Sequence, residues 1–273
     1  MHPTQPASAP VATGQPPDAT PGAAAQVTLM GAGPGDPELL TIKALRALQA
    51  AEVLLYDNLV SDEVLALAPP DAQRIYVGKE ASRHSMPQEA IGALMVGLAR
   101  QGRRVARIKG GDGYIFGRGG EEAQVLAEAG IAFTVVPGIT AAQGAAAACG
   151  IPLTHRDHAR ALILATGHLQ DRAQGEGQVD LDWDTLARPR QTVVIYMGLG
   201  TLPLLCEKLI AHGLAPGTPA ALIERATLPG QRCITGALQQ LPELARQAAL
   251  KPPTLIIIGD VVGLQGVLGA ASR

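Results

Sequence analysis

Short apolar runs alternate with longer amphipathic segments along the first half of the chain. Five of these runs are typical of buried strands, because they are rich in aliphatic residues and end at glycine, proline or aspartate. The predicted strands are residues 27–30, 53–56, 75–77, 105–109 and 133–136. Between them, apolar residues recur at three- and four-residue spacing, which predicts helices. The first helix is expected to begin directly after Asp36 as its cap, with Pro37 at its first position. Strands that alternate with helices predict a parallel sheet with right-handed crossovers.

The second half of the chain has a different pattern. We predict five further strands at residues 161–165, 192–196, 220–223, 232–235 and 254–258. The third and fourth of them flank Leu228-Pro229-Gly230 and are close enough to pair as an antiparallel hairpin, so we expect a mixed sheet. The sequence therefore predicts a two-domain α/β protein. Its N-terminal domain would be residues 27–153, its C-terminal domain 154–264, and its flexible end 265–273.

The first 26 residues differ from everything that follows. They contain six prolines, one acidic side chain at Asp18, and no lysine or arginine. They lack the basic start and apolar centre of a secretory signal. With so little apolar surface to bury, residues 1–26 are expected to be a disordered tail.

Composition narrows the class of protein. The 273 residues carry a net charge of −2, which argues against a nucleic-acid binder. Cys149, Cys206 and Cys233 are widely spaced with no CxxC motif, so we expect reduced thiols in a cytoplasmic protein. No stretch is long and apolar enough to suggest a membrane span. His155, His158 and His168 lack further ligands at metal-binding spacing, and no metal site is expected.

Residues 109–122 form the densest motif of the chain, with six glycines among fourteen residues. The motif follows a predicted strand and precedes a predicted helix that begins with acids. It also contains Asp112, Tyr114, Phe116 and Arg118, which a flexible connection alone would not require. Ordered glycine costs backbone entropy, so the cluster indicates either repeated sharp turns or close approach of a ligand. A flexible strand-to-helix loop is the alternative interpretation.

Four motifs follow predicted strands of the first sheet: GAGPGDP at 31–37, Asp57, KGGD at 109–112 and PGITAA at 137–142. Ligands of open parallel sheets bind beyond the carboxyl ends of the strands, so these motifs are expected to share one site. The first motif with Asp57 mimics a dinucleotide-binding fingerprint. However, Asp36 stands where that fingerprint has its third glycine, and a carboxylate there would repel a pyrophosphate. Asp112 places a carboxylate in the KGGD motif, where it would also repel a pyrophosphate. Acid-bearing glycine loops favour a positively charged ligand such as S-adenosylmethionine.

The segment 27–262, nearly all of the chain that is expected to be ordered, resembles the uroporphyrinogen-III C-methyltransferases of the tetrapyrrole methylase superfamily. The matching segments are GAGPGDPELLTIKALRAL (31–48), YDNLVS (56–61), VGK (77–79), IKGGD (108–112), IFGRGGEE (115–122), VVPGITAA (135–142), GIPLTHRD (150–157), TGH (166–168), YMG (196–198) and APGTPAALIERAT (215–227). GAGPGDP alone indicates the superfamily, whereas GRGGEE and GIPLTHRD point to the uroporphyrinogen branch.

The resemblance implies a two-domain fold with S-adenosylmethionine in the cleft between the sheets, and a homodimer. The implied reaction is two successive methylations of uroporphyrinogen III, at C-2 and C-7, giving precorrin-2 for sirohaem or cobalamin synthesis. Motif matches place the cofactor contacts on Pro34, Gly110, Gly111, Asp112, Ile115, Thr140, Ala141, Met197 and Ala226. They place the proton acceptor on Asp57 and the proton donor on Lys79.

The residues alone leave other roles open. Asp57 is equally suited to capping a helix near Asp62, Lys79 to lying on the surface, and Met197 to packing in a core. The chain also departs from the family pattern, which usually has proline at Gly113 and Asn-Gly at Arg225-Ala226.

The implied substrate carries eight carboxylates, so a protein of net charge −2 must concentrate its cations locally. The candidates are Arg118, His155, Arg156, Arg160, His168 and Arg172. A solvated basic loop is the alternative. A dinucleotide oxidoreductase and a catalytically idle binding protein remain as other classes of function.

Overall fold

The computed structural model describes residues 26–78, 86–168 and 179–271. In that part of the chain the strands are β1 (Val27–Gly31), β2 (Val53–Tyr56), β3 (Gln73–Tyr76), β4 (Val105–Lys109), β5 (Phe133–Val136), β6 (Ala161–Thr166), β7 (Gln191–Tyr196), β8 (Pro219–Glu224), β9 (Arg232–Ala237) and β10 (Thr254–Ile258). The helices are α1 (Ile42–Ala50), α2 (Asp62–Leu65), α3 (Gln88–Arg100), α4 (Gly119–Glu128), α5 (Ala141–Cys149), α6 (Trp183–Leu186), α7 (Leu202–Ala211), α8 (Leu241–Gln247) and α9 (Gln265–Ala271).

The first sheet is parallel, as predicted, with the strand order β3-β2-β4-β1-β5. Side chains of a strand alternate between the two faces, so each face has its own core. Leu54 lies in the core that includes Leu48 of α1, on one face. Its neighbours Val53 and Leu55 lie with Met95 of α3 in the core on the other face. Helices therefore cover both faces, and the central strand β4 is buried throughout.

The second sheet is mixed, with the order β6-β7-β10-β8-β9. Strands β6 and β7 are parallel, and the other pairs are antiparallel. The predicted hairpin is confirmed, since β8 and β9 pair with Ile223 opposite Cys233. The sheet is covered by α7 and α8 on one face.

Helix α5 connects the two sheets. It follows β5 of the first sheet, yet its buried residues Ala142, Ala145 and Cys149 pack with Val194 and Ile257 of the second sheet. The packing thus changes from one sheet to the other at residues 137–140, ahead of the helix.

Several local predictions need correction. Asp36 caps a single 3₁₀ turn, Pro37–Leu39, and α1 begins only at Ile42, after its own cap Thr41. Residues 265–273 were expected to be a flexible end, but α9 extends to Ala271. Its packing against α5 is close, because a Cβ atom added to Gly150 would lie 2.6 Å from the Cα of Gly269.

Residues 1–25 of the predicted tail lie outside the described part of the chain. Among the helices that the structure describes, none has the length and apolar character needed to cross a bilayer.

The first prediction concerns Gly31, the last residue of β1. A Cβ atom there would lie 2.6 Å from the backbone nitrogen of Gly138, and backbone cannot move aside as a side chain can. We expect Gly31→Ala to lower the free energy of unfolding by about 1–3 kcal/mol or more. Gly97→Ala in α3 is the control, because a Cβ there meets nothing within 4 Å. It should raise stability by roughly 0.5–1 kcal/mol. Equal effects of the two substitutions in urea denaturation would contradict this interpretation.

Candidate functional site

The loops after β1 and β4 meet at the carboxyl edge of the first sheet. Gly33 and Gly111 exchange backbone hydrogen bonds, with N···O distances of 3.1 and 2.6 Å. Both residues have positive φ angles, of 74° and 66°, which glycine adopts without strain. The loop after β5 joins them, because Gly138 approaches the Gly31 Cα too closely for any side chain. Three of the predicted motifs therefore form one surface.

Asp112 ties two of these loops together. Its Oδ2 accepts a hydrogen bond from the Gly138 N–H at 2.9 Å, and its Oδ1 accepts one from the Tyr114 N–H at 2.8 Å. The carboxylate is thus held by backbone donors of its own and the neighbouring loop. The φ angle of Gly113 is not positive. The Gly113 carbonyl accepts a hydrogen bond from the Gly119 N–H, with an N···O distance of 2.9 Å. Nothing in this backbone conformation excludes the proline that the family usually has there.

The second half of the chain closes over the first glycine loop. The Asp36 N–H donates to Thr227 Oγ1 at 3.2 Å, across 191 residues of sequence. A Cβ atom on Gly35 would lie 2.6 Å from Leu228 Cγ, so this loop also packs tightly against the turn between β8 and β9. Pro34 packs in the same way against Gly144 of α5. The predicted contacts Pro34 and Ala226 are therefore brought to the same side of the molecule.

Tyr196, the last residue of β7, joins the second sheet to the loop before α5. Its hydroxyl lies 2.6 Å from Thr140 Oγ1 and accepts the Ala142 N–H at 3.0 Å. Burial raises the pKa of this hydroxyl, so it remains protonated and can donate to Thr140. The ring of Phe116 packs against the tyrosine ring with centroids 4.9 Å apart. Tyr196 thus contacts both the 109–122 loop and the start of α5.

Backbone strain is concentrated around this site. Of the non-glycine residues with positive φ in the described ranges, the following belong to the loops named above: Phe116 (53°), Arg118 (58°), Met197 (54°), Arg225 (50°) and Thr227 (64°). Strained residues of this kind persist where the surrounding structure holds them, and they cluster at ligand sites. The interpretation of Met197 as core is wrong, because 52% of its surface is exposed. Tyr114 and Phe116 are also exposed, which gives the site an apolar surface.

Asp57 does not cap α2. Ser61 is the cap, and its Oγ accepts the Val64 N–H at 3.3 Å. Asp57 Oδ1 instead accepts the Leu59 N–H at 3.1 Å, and Oδ2 lies 3.4 Å from an Arg107 Nη atom. The carboxylate remains 19% exposed at the carboxyl edge of the sheet.

The candidate carboxylate-binding residues are spread over several loops. Arg118 makes a bidentate pair with Glu121, in which Arg118 Nη2 donates to a carboxylate oxygen at 2.6 Å. Arg156, Arg160 and His168 are exposed. His155 is half-buried, and its ring packs against that of His158 with centroids 4.8 Å apart. Lys79 and Arg172 lie outside the described residues.

Sequence reasoning missed Tyr196, Thr227, Arg107 and Glu122. Tyr196 and Thr227 were included in matching segments. Their hydrogen bonds, however, join residues that are far apart in the sequence, and no local pattern reveals such contacts. The sequence did contain a signal that Arg107 is important, because Arg107 is a charged residue in a strand predicted to be covered on both faces. Such a side chain must find a buried partner.

Three comparisons place these observations in context. A family model described as Tetrapyrrole (Corrin/Porphyrin) Methylases matches residues 26–242. The siroheme synthase of Nitrosospira multiformis is 58% identical over 239 residues, which is 88% of this chain and 50% of that protein. The chain thus spans about half the length of the curated relatives it matches.

Solved structures resemble the chain over almost their full length. A uroporphyrin-III C-methyl transferase from Thermus thermophilus, complexed with S-adenyl homocysteine, is 40% identical with a TM-score of 0.73. The match covers 87% of this chain and 93% of that one. A cobalt precorrin-4 methyltransferase is 28% identical with a TM-score of 0.75, covering 86% of this chain and 95% of that one.

The second prediction tests the contact between the two halves. Tyr196→Phe removes a buried hydroxyl and leaves the Thr140 hydroxyl and the Ala142 N–H without that partner. We expect the free energy of unfolding to fall by about 1–3 kcal/mol. Tyr114→Phe is the matched control, because Tyr114 is 53% exposed and its change should stay within about 0.5 kcal/mol. Equal stability of the two variants in urea would show that the hydroxyl does not connect the halves.

Proposed function

The chain belongs to the tetrapyrrole methylase family, and we propose that it is an S-adenosylmethionine-dependent C-methyltransferase that converts uroporphyrinogen III to precorrin-2. The curated relatives are siroheme synthases about twice as long as the matched region. The proposal therefore covers the methyl transfer alone, at C-2 and C-7, in sirohaem or cobalamin synthesis.

One observation carries the proposal: the glycine loops of the first sheet meet loops of the second half of the chain in a single strained, partly apolar site. The Thermus thermophilus relative, which is complexed with S-adenyl homocysteine, matches this chain over both halves. The chemical character of the residues at the site suits S-adenosylmethionine. The Met197 side chain is exposed, and Asp112 contributes negative charge. A sulfonium and an ammonium are more compatible with that charge than a pyrophosphate is.

We assign the cofactor to the cleft between the two sheets. Its contacts would be Pro34, Gly110, Gly111, Asp112, Ile115, Thr140, Ala141, Met197 and Ala226. When bound, S-adenosylmethionine supplies an electrophilic methyl group. The loops would hold it in line with the acceptor carbon and exclude water, which is the main requirement of such a displacement.

Asp57 would act as the base in this reaction. After methyl transfer the substrate ring carries positive charge and must lose a proton, and a carboxylate at the mouth of the sheet can take it. Lys79 would serve as the proton donor. Arg118, His155, Arg156, Arg160, His168 and Arg172 are the residues we propose for the substrate carboxylates. Arg118 would have to exchange its pairing with Glu121, which exposed ion pairs permit at little cost.

The remaining proposals concern assembly and boundaries. We propose a cytoplasmic homodimer built from an N-terminal domain at 27–153 and a C-terminal domain at 154–264. In this division α5 belongs to the N-terminal domain by sequence and packs on the sheet of the C-terminal domain.

The decisive experiment is incubation of the protein with uroporphyrinogen III and methyl-labelled S-adenosylmethionine under anaerobic conditions, with mass analysis of the product. We expect two methyl groups per ring. A product without label would disprove the proposed reaction, and a product with one methyl group would limit it to a single position.

The third prediction concerns the ligand class. We expect calorimetry to show one S-adenosylhomocysteine site per chain and no binding of NAD, because Asp36 and Asp112 disfavour a pyrophosphate. The opposite preference would favour a dinucleotide oxidoreductase and overturn the methyltransferase proposal.

The fourth prediction concerns Asp57. Asp57→Asn keeps the size of the side chain and removes its basicity, so turnover should fall by about 10²–10⁴-fold while cofactor affinity stays unchanged. Intact turnover would leave Asp57 with only its turn hydrogen bond to Leu59. A collapse of cofactor affinity would instead assign Asp57 to ribose binding.

A further inference from the structure

Four charged side chains lie together beneath the candidate site, at the carboxyl end of the first sheet. Arg107 of β4 donates from Nε to Glu122 Oε1 at 3.1 Å. Lys109, two residues further along the same strand, donates to the same oxygen at 3.1 Å. Asp57 completes the group through its 3.4 Å contact with Arg107. Two positive and two negative side chains thus share one small volume.

Most of this group is isolated from solvent. The exposed fraction is 3% for the Arg107 side chain, 7% for Lys109 and 0% for Glu122. Burial and the neighbouring Arg107 guanidinium both lower the pKa of Lys109. Asp57 is the member that reaches the surface, at 19%. The buried charged side chains are therefore in contact with the partly exposed carboxylate of Asp57 at the candidate site.

Arg107 is fixed on every side. Its Nη1 donates to the Ile108 carbonyl at 2.9 Å and to the Leu55 carbonyl at 3.4 Å, in addition to its bond with Glu122. A guanidinium is planar, so fixing two of its nitrogens also fixes the direction of the third. That third nitrogen, Nη2, is the one that faces Asp57.

The arrangement is a costly way to stabilise a core. Burying ions costs several kcal/mol each, and apolar side chains of similar volume often serve stability as well or better. The cost is visible at Glu122, whose second oxygen is buried without a hydrogen-bond partner in the described ranges. A buried polar atom left without a partner calls for an explanation, and a catalytic role is one of those that apply.

We infer that Arg107 is a positioning residue for Asp57: held by Glu122, it fixes the direction of the carboxylate that receives the substrate proton. The inference rests on the proposed function, in which Asp57 is the base. Oδ1 is held by the Leu59 N–H and Oδ2 by Arg107, so the carboxylate plane has two anchors on opposite oxygens. Without the second anchor the side chain can rotate about its χ torsions, and the oxygen that meets the substrate is no longer defined.

The fifth prediction uses the variant Arg107→Met combined with Glu122→Gln. Removing both charges avoids a buried carboxylate that has lost its strongest partner. We expect kcat to fall by about 10–100-fold, as misplaced catalytic groups do, with the dissociation constant of S-adenosylhomocysteine within about twofold of the original. In an Asp57→Asn background the same pair of substitutions should change kcat by less than about twofold, because Arg107 acts through Asp57.

Two further variants make the result interpretable. Arg107→Lys keeps the charge but loses the planar fork, so it should also lower kcat, and it serves as the test if the paired variant fails to fold. Arg104→Met is the matched control, because Arg104 also pairs with a carboxylate, Glu52, at the other end of β4 and is 61% exposed. Its kcat should equal that of the unmodified protein.

Hydrogen exchange provides a readout that does not require turnover. In the Arg107 variants a peptide covering residues 55–61 should exchange faster than in the Arg104→Met protein, because the turn at Asp57 has lost an anchor. Unchanged exchange, unchanged kcat, or an equal loss of kcat with and without Asp57 would each overturn the inference. A protein that does not methylate uroporphyrinogen III at all would refute the proposed function, and the exchange result would still decide the positioning role.

Discussion

The close approach of three glycines determines how the site can be built. Strands β4, β1 and β5 are neighbours in the sheet, so their carboxyl ends emerge side by side. Gly31, Gly111 and Gly138 bring the backbone of these ends into direct contact, and any side chain at Gly31 or Gly138 would separate them. The loops therefore form a continuous floor of peptide groups. The positions of these peptide groups are set by the sheet itself.

The second sheet adds the other wall through a few specific contacts. Helix α5 starts at the edge of the first sheet and buries its alanines against the second, so it links the two sheets. Tyr196 and Thr227 then join loops from both halves by hydrogen bonds. The strained residues Phe116 and Met197 lie beside these contacts. The strained backbone of these loops persists because the packing on both sides holds it in place.

The sequence was sufficient for the sheets but not for the contacts between them. Strands such as 105–109 and 254–258 were predicted with their observed bounds, because apolar runs ending at glycine have few other interpretations. The helix after Asp36 was predicted too early, since a cap and a proline at its first position also suit a single 3₁₀ turn. Lys109 and Glu122 were assigned to a strand and a helix separately. Their ion pair depends on how α4 lies against β4, which the local sequence does not reveal.

The two acids of the candidate site differ in a way that supports the different roles we propose for them. Asp112 accepts backbone hydrogen bonds on both oxygens, at 2.8 and 2.9 Å, and these bonds hold two loops together. Protonating it would weaken both bonds, so Asp112 is poorly suited to exchanging protons during turnover. Asp57 accepts one backbone hydrogen bond, and its second oxygen meets Arg107 only at 3.4 Å. That oxygen keeps lone-pair capacity for an incoming proton while the guanidinium limits its direction. Of the two carboxylates, Asp57 is therefore the one that can act as the proposed base without loosening the glycine loops.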